Sequence, residues 1–388
     1  MVGEKQKTGP TASTFPQGHS PEFIFDLLAA WRENKIACPL ETGQGGAGLL
    51  ANRSVGDLDQ SIVHLKSTSA TGGTARFVAF TADQLMADAE NIVATMGLRT
   101  DWPNLGVISL AHSYGFSNLV LPLLLHGIPL ILAPAPLPEI IRRAAENESD
   151  ITLPAVPEMW SAWHAAAAIP QNVRLAISAG APLPMHLKQE VFERRGIKIH
   201  NFLGSSECGG IAYDTFEILR TNDGFVGSPM KNVKLSVNEE GCLVVRSRAV
   251  AETYWPEKSD LLGGGIFQTS DLAEIKNEFS VFLRGRLGDQ INIAGRKLSP
   301  ETVERALLAH PQVRECLVFG APSRDAERTE IIVAIVASSA TEPELKSFLL
   351  QTLPAWQVPR EWKFVYSLPA NARGKISRAE WRKQFINL

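Results

Sequence analysis

Ser67-Thr68-Ser69-Ala70-Thr71-Gly72-Gly73-Thr74-Ala75-Arg76, STSATGGTAR, follows the short apolar run Ser61 to Leu65. Hydroxyls, two adjacent glycines and a terminal Arg give this loop many donors, no bulky side chain and one fixed positive charge. That is how a phosphate is held. Gly72 and Gly73 can turn successive N–H groups toward one anion, a conformation that residues carrying a Cβ reach only against steric resistance. The plainer reading is a solvated Ser/Thr/Gly turn between two strands, and on this stretch alone both readings stand. The ordinary NTPase loop GxxxxGK[ST] is absent from the chain.

Beyond the loop, Thr81 with Gln84 forms a capping box, Leu85, Ala89, Ile92 and Met96 share one helical face, and Gly97 stops the helix. From Leu105 to Phe202 strand-like and helix-like segments alternate. Leu105 to Leu110, Gly127 to Leu132, Asp150 to Leu153, Val173 to Ser178 and Ile197 to Phe202 read as strands. Phe116 to Leu125, Pro138 to Asn147, Val156 to Ala167 and Pro184 to Arg195 read as helices. The alternation predicts a large α/β domain with mostly parallel sheets and a ligand at the strands' carboxyl ends. Upstream, Pro21 to Glu33 has the spacing of a packing helix through Phe23, Leu27, Leu28 and Trp31, followed by a glycine-rich turn over 42–48.

The final hundred or so residues have another rhythm. Ser299-Pro300 caps a helix to about Ala309, Val313 to Phe319 and Ile331 to Val336 are strands, Thr341 with Glu344 caps a helix, and Glu361 to Tyr366 is a last strand. This predicts a small α+β C-terminal domain.

With 388 residues, 45% apolar and 20% charged, the chain has room for one large domain and one small one. A net charge of -3 argues against a general grip on nucleic acid or anionic lipid. The first fourteen residues, MVGEKQKTGPTAST, contain no apolar segment and read as a loose leader with no secretory signal. The most apolar window, Leu119 to Pro138, is broken by Pro122, His126, Gly127 and Pro129, so no membrane span is expected. Cys38, Cys208, Cys242 and Cys316 form no CxxC pair, and neither zinc nor a disulfide framework is signalled. A reducing cytoplasm is the expected compartment.

The loop, NFLGSSECGG at 201–210, FQTSDL at 267–272, RGRLGDQINIAGRKLSPETVE at 284–304 and LPANARGKISR at 368–378 together resemble the ordered motif set of the acyl-adenylate-forming superfamily. That family comprises acyl-CoA and aryl-CoA synthetases, peptide-synthetase adenylation domains and beetle luciferases. The resemblance runs from about Ser61 to Arg378, with an N-terminal portion shorter than in typical members. It implies domains over 1–285 and 286–388, the second a mobile lid hinged near 286–289. It also implies a reaction: a carboxylate attacks the α-phosphate of ATP, releasing pyrophosphate, and the acyl group passes to a thiol of CoA or of a phosphopantetheine-bearing acyl or aryl carrier protein. Two anions must meet, so donors and positive charge have to be supplied.

By this resemblance Thr68, Ser69, Thr71, Gly72 and Gly73 hold the β- and γ-phosphates, with Arg76 where the family commonly has Lys and Ala75 where it has Pro. Glu207 takes the place of the Mg2+-binding carboxylate, and Ser206 that of a Thr hydroxyl at the α-phosphate. Gly180, Ala181, Pro182, Asn201, Phe202, Leu203 and Gly204 line the nucleotide, Leu203 replacing an aromatic residue that stacks on adenine. Asp271 and Arg286 are placed at the ribose, Lys375 as the catalytic cation of adenylation, Gly288 at the hinge and Gly295 in the thiol-step loop. His112, Ser113, Ser178 and Ile211 line the acid pocket. Amino-acid-activating members carry Asp where this chain has Ser113. A buried ammonium lacking a carboxylate is costly, so a fatty or aromatic acid is expected.

Two other readings stay open. One is a non-catalytic nucleotide- or acyl-binding descendant, prompted by Leu203, Ala75, Gly288 and the short N-terminal portion. The other is an adenylating enzyme without a thioester step, prompted by Asn292 where some members have Lys.

Overall fold

The computed structural model describes residues 13–41, 57–68, 76–220, 224–277, 279–322, 330–368 and 377–386. The leader (apart from its last two residues), the turn over 42–48, Ser69, Thr71, Gly72, Gly73, Ala75 and Lys375 therefore lie outside the described residues. The chain divides into two compact units, Met1–Ser236 with Val244–Thr269 and Ile275–Val281, and Val237–Leu243 with Ser270–Glu274 and Phe282–Leu388.

In the larger unit helix α1 (Pro21–Arg32) buries Phe23, Leu27 and Ala30. Strands β1 (Ile62–Ser67) and β2 (Phe77–Thr81) pair antiparallel across the phosphate-loop candidate. Helix α2 (Ala82–Met96) has both bonds of the Thr81–Gln84 capping box and ends on left-handed Gly97. Next come β3 (Asn104–Gly106), β4 (Leu130–Leu132), α3 (Pro138–Ala145), β5 (Ile151–Ala155), α4 (Pro157–Ala165), β6 (Val173–Ser178), α5 (Met185–Arg195) and β7 (Ile199–Ser205). Their sheet order is β4-β3-β5-β6-β7, all parallel. The chain leaves β3 toward β4 and returns to β5 on its other side, so the order reverses at β3, the place where open α/β sheets bind ligands. Buried Trp160 and Trp163 of α4 meet edge to face at 5.4 Å, and their indole N–H groups donate to Ile177 and Pro136 carbonyls, so the large apolar area is buried without an orphaned donor.

Several boundaries differ from the sequence reading. The run from Leu105 to Leu110 is a strand only over Asn104–Gly106, because pairing to β4 ends at Gly106; the remainder is a mostly buried irregular segment. The helix expected from Phe116 starts at Ser113 and passes through a π-helical stretch, Phe116–Val120, before Leu121–His126. The strand expected from Gly127 begins at Leu130. Beyond β7 the sheet turns antiparallel through β8 (Gly209–Tyr213) and β9 (Phe225–Pro229), and β10 (Thr253–Trp255) pairs with β2.

In the smaller unit β11 (Val313–Pro322), β12 (Glu330–Ser338) and β13 (Glu361–Phe364) form one sheet, with α6 (Pro300–Leu308), α7 (Glu342–Leu349) and α8 (Arg378–Ile386). Strand alternation explains why both faces are covered. Val318, Ile332, Ala334 and Val336 join the core with Val303, Leu307 and Leu345, whereas Leu317, Phe319, Val333 and Ile335 pack with Trp381 and Phe385. Ser299 stands at the N-cap of α6 but makes no side-chain cap; its hydroxyl donates to Glu301 instead. Among the described residues no helix is long and apolar enough to cross a membrane.

Candidate active site

The segments at and after the carboxyl ends of β3, β6 and β7 carry His112, Ser113, Ser178, Gly180 to Pro182 and Asn201 to Glu207, and the loop between antiparallel β1 and β2 carries Thr68 and Arg76. Thr68 closes the mouth of the β1–β2 loop, its N–H and hydroxyl both donating to the Arg76 carbonyl, at 2.9 and 3.0 Å. The Arg76 guanidinium lies over the Tyr254 ring at 3.5 Å, within cation–π range. Tyr254 in turn donates its hydroxyl to Glu207 Oε1 at 3.0 Å. Burial first, and then the neighbouring Glu207 carboxylate, push this phenol well above its ordinary pKa, so it stays a neutral donor. Arg76 Nε is buried with no hydrogen-bond partner among the described residues.

Glu207 sits in the turn between β7 and β8. Its N–H is taken by Ser205 Oγ at 3.2 Å and its carbonyl by the Ala251 N–H at 2.9 Å, so the backbone is held from both sides. Ser206, beside it, shares a 2.8 Å hydroxyl–hydroxyl bond with Ser113. Ser113 opens the helical segment that follows His112, whose Nδ1 accepts the Tyr114 N–H. A Cβ on Gly115 would fall 2.0 Å from the Ser109 carbonyl oxygen, so only glycine lets this segment press back on the chain leaving β3. Tyr114 reaches across the strand ends, its hydroxyl near the carbonyls of Ile177 and Ala155 at 3.4 and 3.5 Å. Ser178, at the end of β6, has a buried hydroxyl with no partner among the described residues.

Of the remaining residues, Phe202 and Ile211 are buried, Leu203 is partly buried, and Gly180, Ala181, Pro182 and Gly204 are exposed. Asn201 spends its amide N–H on the Phe225 carbonyl. In the smaller unit Asp271 and Arg286 meet in a salt bridge at 3.0 Å. Gly288 lies in the 3-10 turn Leu287–Asp289, where an added Cβ would touch nothing. Gly295 closes a hairpin turn with Ala294, both at positive φ, and donates its N–H to Asn292 Oδ1. Arg378, at the start of α8, spans Asp289 at 2.5 Å and Glu304 at 2.9 Å.

A family model of the AMP-binding enzymes matches residues 55–255, and the model of the AMP-binding enzyme C-terminal domain matches 302–375. The chain belongs to the AMP-binding enzyme family. This AMP-binding enzyme is 26% identical over 332 residues to a 2-succinylbenzoate–CoA ligase of Bacillus cytotoxicus, a match spanning 81% of this chain and 69% of that protein. It is 28% identical over 345 residues to a feruloyl-CoA synthase of an Amycolatopsis species, spanning 83% and 69%. In fold it resembles ATP-bound MatB from Rhodopseudomonas palustris, with a TM-score of 0.86, 19% identity, and 98% and 90% of the two chains covered. It also resembles o-succinylbenzoate CoA synthetase from Bacillus subtilis in complex with its acyl-adenylate, with a TM-score of 0.83, 19% identity, and 97% and 89% covered. The large α/β domain with a small C-terminal domain expected from sequence is thus the fold of this AMP-binding enzyme.

Sequence reasoning missed Tyr254, Lys66 and Asp88. The last two carried a signal: Lys66 interrupts a buried strand, and Asp88 falls on the apolar face of α2 between Leu85 and Ile92.

Proposed function

We propose that this AMP-binding enzyme is an acid–thiol ligase that activates a fatty or aromatic carboxylic acid with ATP and transfers the acyl group to the thiol of CoA. The observation that carries the reading is the chain of contacts Arg76–Tyr254–Glu207, with the Ser206–Ser113 hydroxyl pair beside it. It links a cation at the closed mouth of the phosphate loop, through one tyrosine, to a carboxylate in the turn after β7, the turn that also carries Ser206. The Arg76 Nε and Ser178 hydroxyl, buried and without partners among the described residues, support it, since buried donors lacking partners cost about 1–3 kcal/mol each unless a ligand takes them.

In the first step a carboxylate oxygen bonds to the α-phosphorus and the bond to pyrophosphate breaks. Arg76 offsets the charge of the β- and γ-phosphates, Ser69, Thr71, Gly72 and Gly73 donate hydrogen bonds to them, Ser206 takes the α-phosphate, and Lys375 stabilises charge on the reacting oxygens. Among the described residues no cluster of three or more His, Cys, Asp or Glu side chains could hold a metal. One carboxylate plus substrate phosphates is nonetheless the usual magnesium set, and Glu207, whose Oε1 alone is engaged by the protein among those residues, fits it. When bound, the cation would supply charge neutralisation of phosphate oxygens. In the second step the thiol sulfur attacks the acyl carbon, AMP leaves with one oxygen of the acid, and the thiol proton goes to solvent.

Residues 1–285 act as the large domain and 286–388 as the lid. Gly288 supports a pivot near 286–289, because nothing in its present turn demands glycine. Asp271 with Arg286 holds the ribose, and Gly295 serves the thiol step. The relatives named as CoA ligases support CoA as acceptor over a carrier protein.

The test is acid-dependent exchange of labelled pyrophosphate into ATP across short, fatty, aromatic and amino acids, followed by addition of CoA. Exchange with an aromatic or fatty acid and none with amino acids, then CoA-dependent thioester release, is the expected result. ATP binding without exchange for any acid would leave a binding protein. Exchange without thioester, with CoA and with a phosphopantetheinylated carrier alike, would leave an adenylating enzyme that stops at the first step.

A further inference from the structure

Below the site lies a charge pair that no step of the reaction uses. Lys66 and Asp88 have side chains 2% exposed each, with Nζ 4.0 Å from Oδ2. The ammonium lies over the Phe80 ring at 4.5 Å and the Phe116 ring at 5.5 Å, and donates to the Ser117 hydroxyl at 3.2 Å. That hydroxyl donates to Asp88 Oδ2 at 2.6 Å, and Asp88 Oδ1 accepts the Gly210 N–H at 3.0 Å. Gly209 is at φ +66°, and a Cβ there would fall 1.9 Å from Asp88 Oδ1, so the backbone of the turn rests directly on the carboxylate.

Each partner belongs to a different piece of the site. Lys66 is two residues before Thr68, at the root of the phosphate loop. Ser117 is in the π-helical stretch that follows Ser113. Gly209 and Gly210 leave the turn that carries Ser206 and Glu207. We infer that Asp88 is a positioning residue whose carboxylate, held by Lys66 and Ser117, fixes the phosphate-loop root, the acid-pocket helix and the Glu207 turn to one another. Two fully buried charges with so few partners are a poor way to gain stability compared with an apolar pair of the same shape. They are a good way to hold three backbones in one register, because hydrogen bonds to an ionised group are strong and directional. The inference rests on the ligase reading for its kinetic consequences but not for its structural ones.

The test uses the full chain with Asp88→Asn, Lys66→Met, their combination and Ser117→Ala. Amide hydrogen exchange over the 203–213 segment is expected to rise at least about tenfold in D88N, without a comparable rise in α4 or β5. In pyrophosphate exchange D88N is expected to lose at least about twentyfold in kcat with KM for ATP changed less than about threefold. S117A, which removes one hydroxyl and leaves the charges, is expected to lose about three- to tenfold. The double K66M/D88N variant, which leaves no unpaired buried charge, is expected to regain thermal stability relative to either single variant while keeping the raised exchange over 203–213 and the lowered kcat. Protection of 203–213 unchanged in D88N and S117A, or equal kcat for wild type and the folded variants, would overturn the positioning role. Should D88N fail to fold, S117A and the double variant decide by the same readouts. An inactive wild type would remove the ligase reading alone, because the hydrogen-exchange arm reads the turn without turnover.

Discussion

Lys375→Ala is expected to lower acid-dependent pyrophosphate exchange by at least two orders of magnitude while leaving ATP binding within a few-fold and the thermal midpoint unchanged. Removing a preorganised donor from the place where charge develops costs about 2.7–4 kcal/mol, or about 10²–10³ in rate. Lys375 lies in the GKISR context, and its role comes from the family resemblance. Steady-state exchange with the best acid, together with calorimetric ATP binding, checks it. A K375A variant exchanging at the wild-type rate would show that the adenylation cation is elsewhere.

The second large effect is expected at Glu207. Glu207→Gln keeps the shape and an acceptor for the Tyr254 hydroxyl but removes the charge that a divalent cation requires. A hydrogen bond to a charged group is worth about 1.5–3 kcal/mol, and the lost carboxylate–cation interaction adds to it. Exchange is therefore expected to fall about a hundredfold or more, with the magnesium concentration for half-maximal rate shifted upward. Tyr254→Phe is the graded comparison: the ring over Arg76 stays and only the hydroxyl is lost, so a drop of about tenfold is expected. A magnesium titration of all three proteins reads both effects. E207Q with a wild-type rate and midpoint would show that this carboxylate does not hold the cation.

How much of this was legible in the sequence depended on whether the signal was local. The capping box of Thr81 and Gln84 and the stop at Gly97 were readable because each is made of neighbouring residues. Val173–Ser178 was readable because a short apolar run with a β-branched start was bounded by turn residues. The shortened strand at Asn104–Gly106 was not: an apolar run is buried whether or not its backbone finds a partner, and pairing is decided by where β4 ends. The antiparallel strands after Ser205 were also not read, since nothing local says which strand pairs with which.

The site divides the same way. Glu207, Ser206 and Ser113 were named from motifs, and the structure brings the two serines within 2.8 Å. Asp271 and Arg286, fifteen residues apart, meet in one ion pair. Tyr254 is joined to Glu207 across 47 residues of chain and has no motif of its own here, so only the fold discloses it. Lys66 and Asp88 broke the apolar pattern of their elements, a conflict between local rule and burial of the sort that marks functional sites.

The most direct measurement follows the atoms. An acid labelled with ¹⁸O in both carboxylate oxygens, taken through complete turnover with ATP and CoA, is expected to deliver one labelled oxygen to the phosphate of the AMP released, because the carboxylate itself attacks the α-phosphorus. Unlabelled AMP, or label appearing in orthophosphate alongside ADP, would contradict the account.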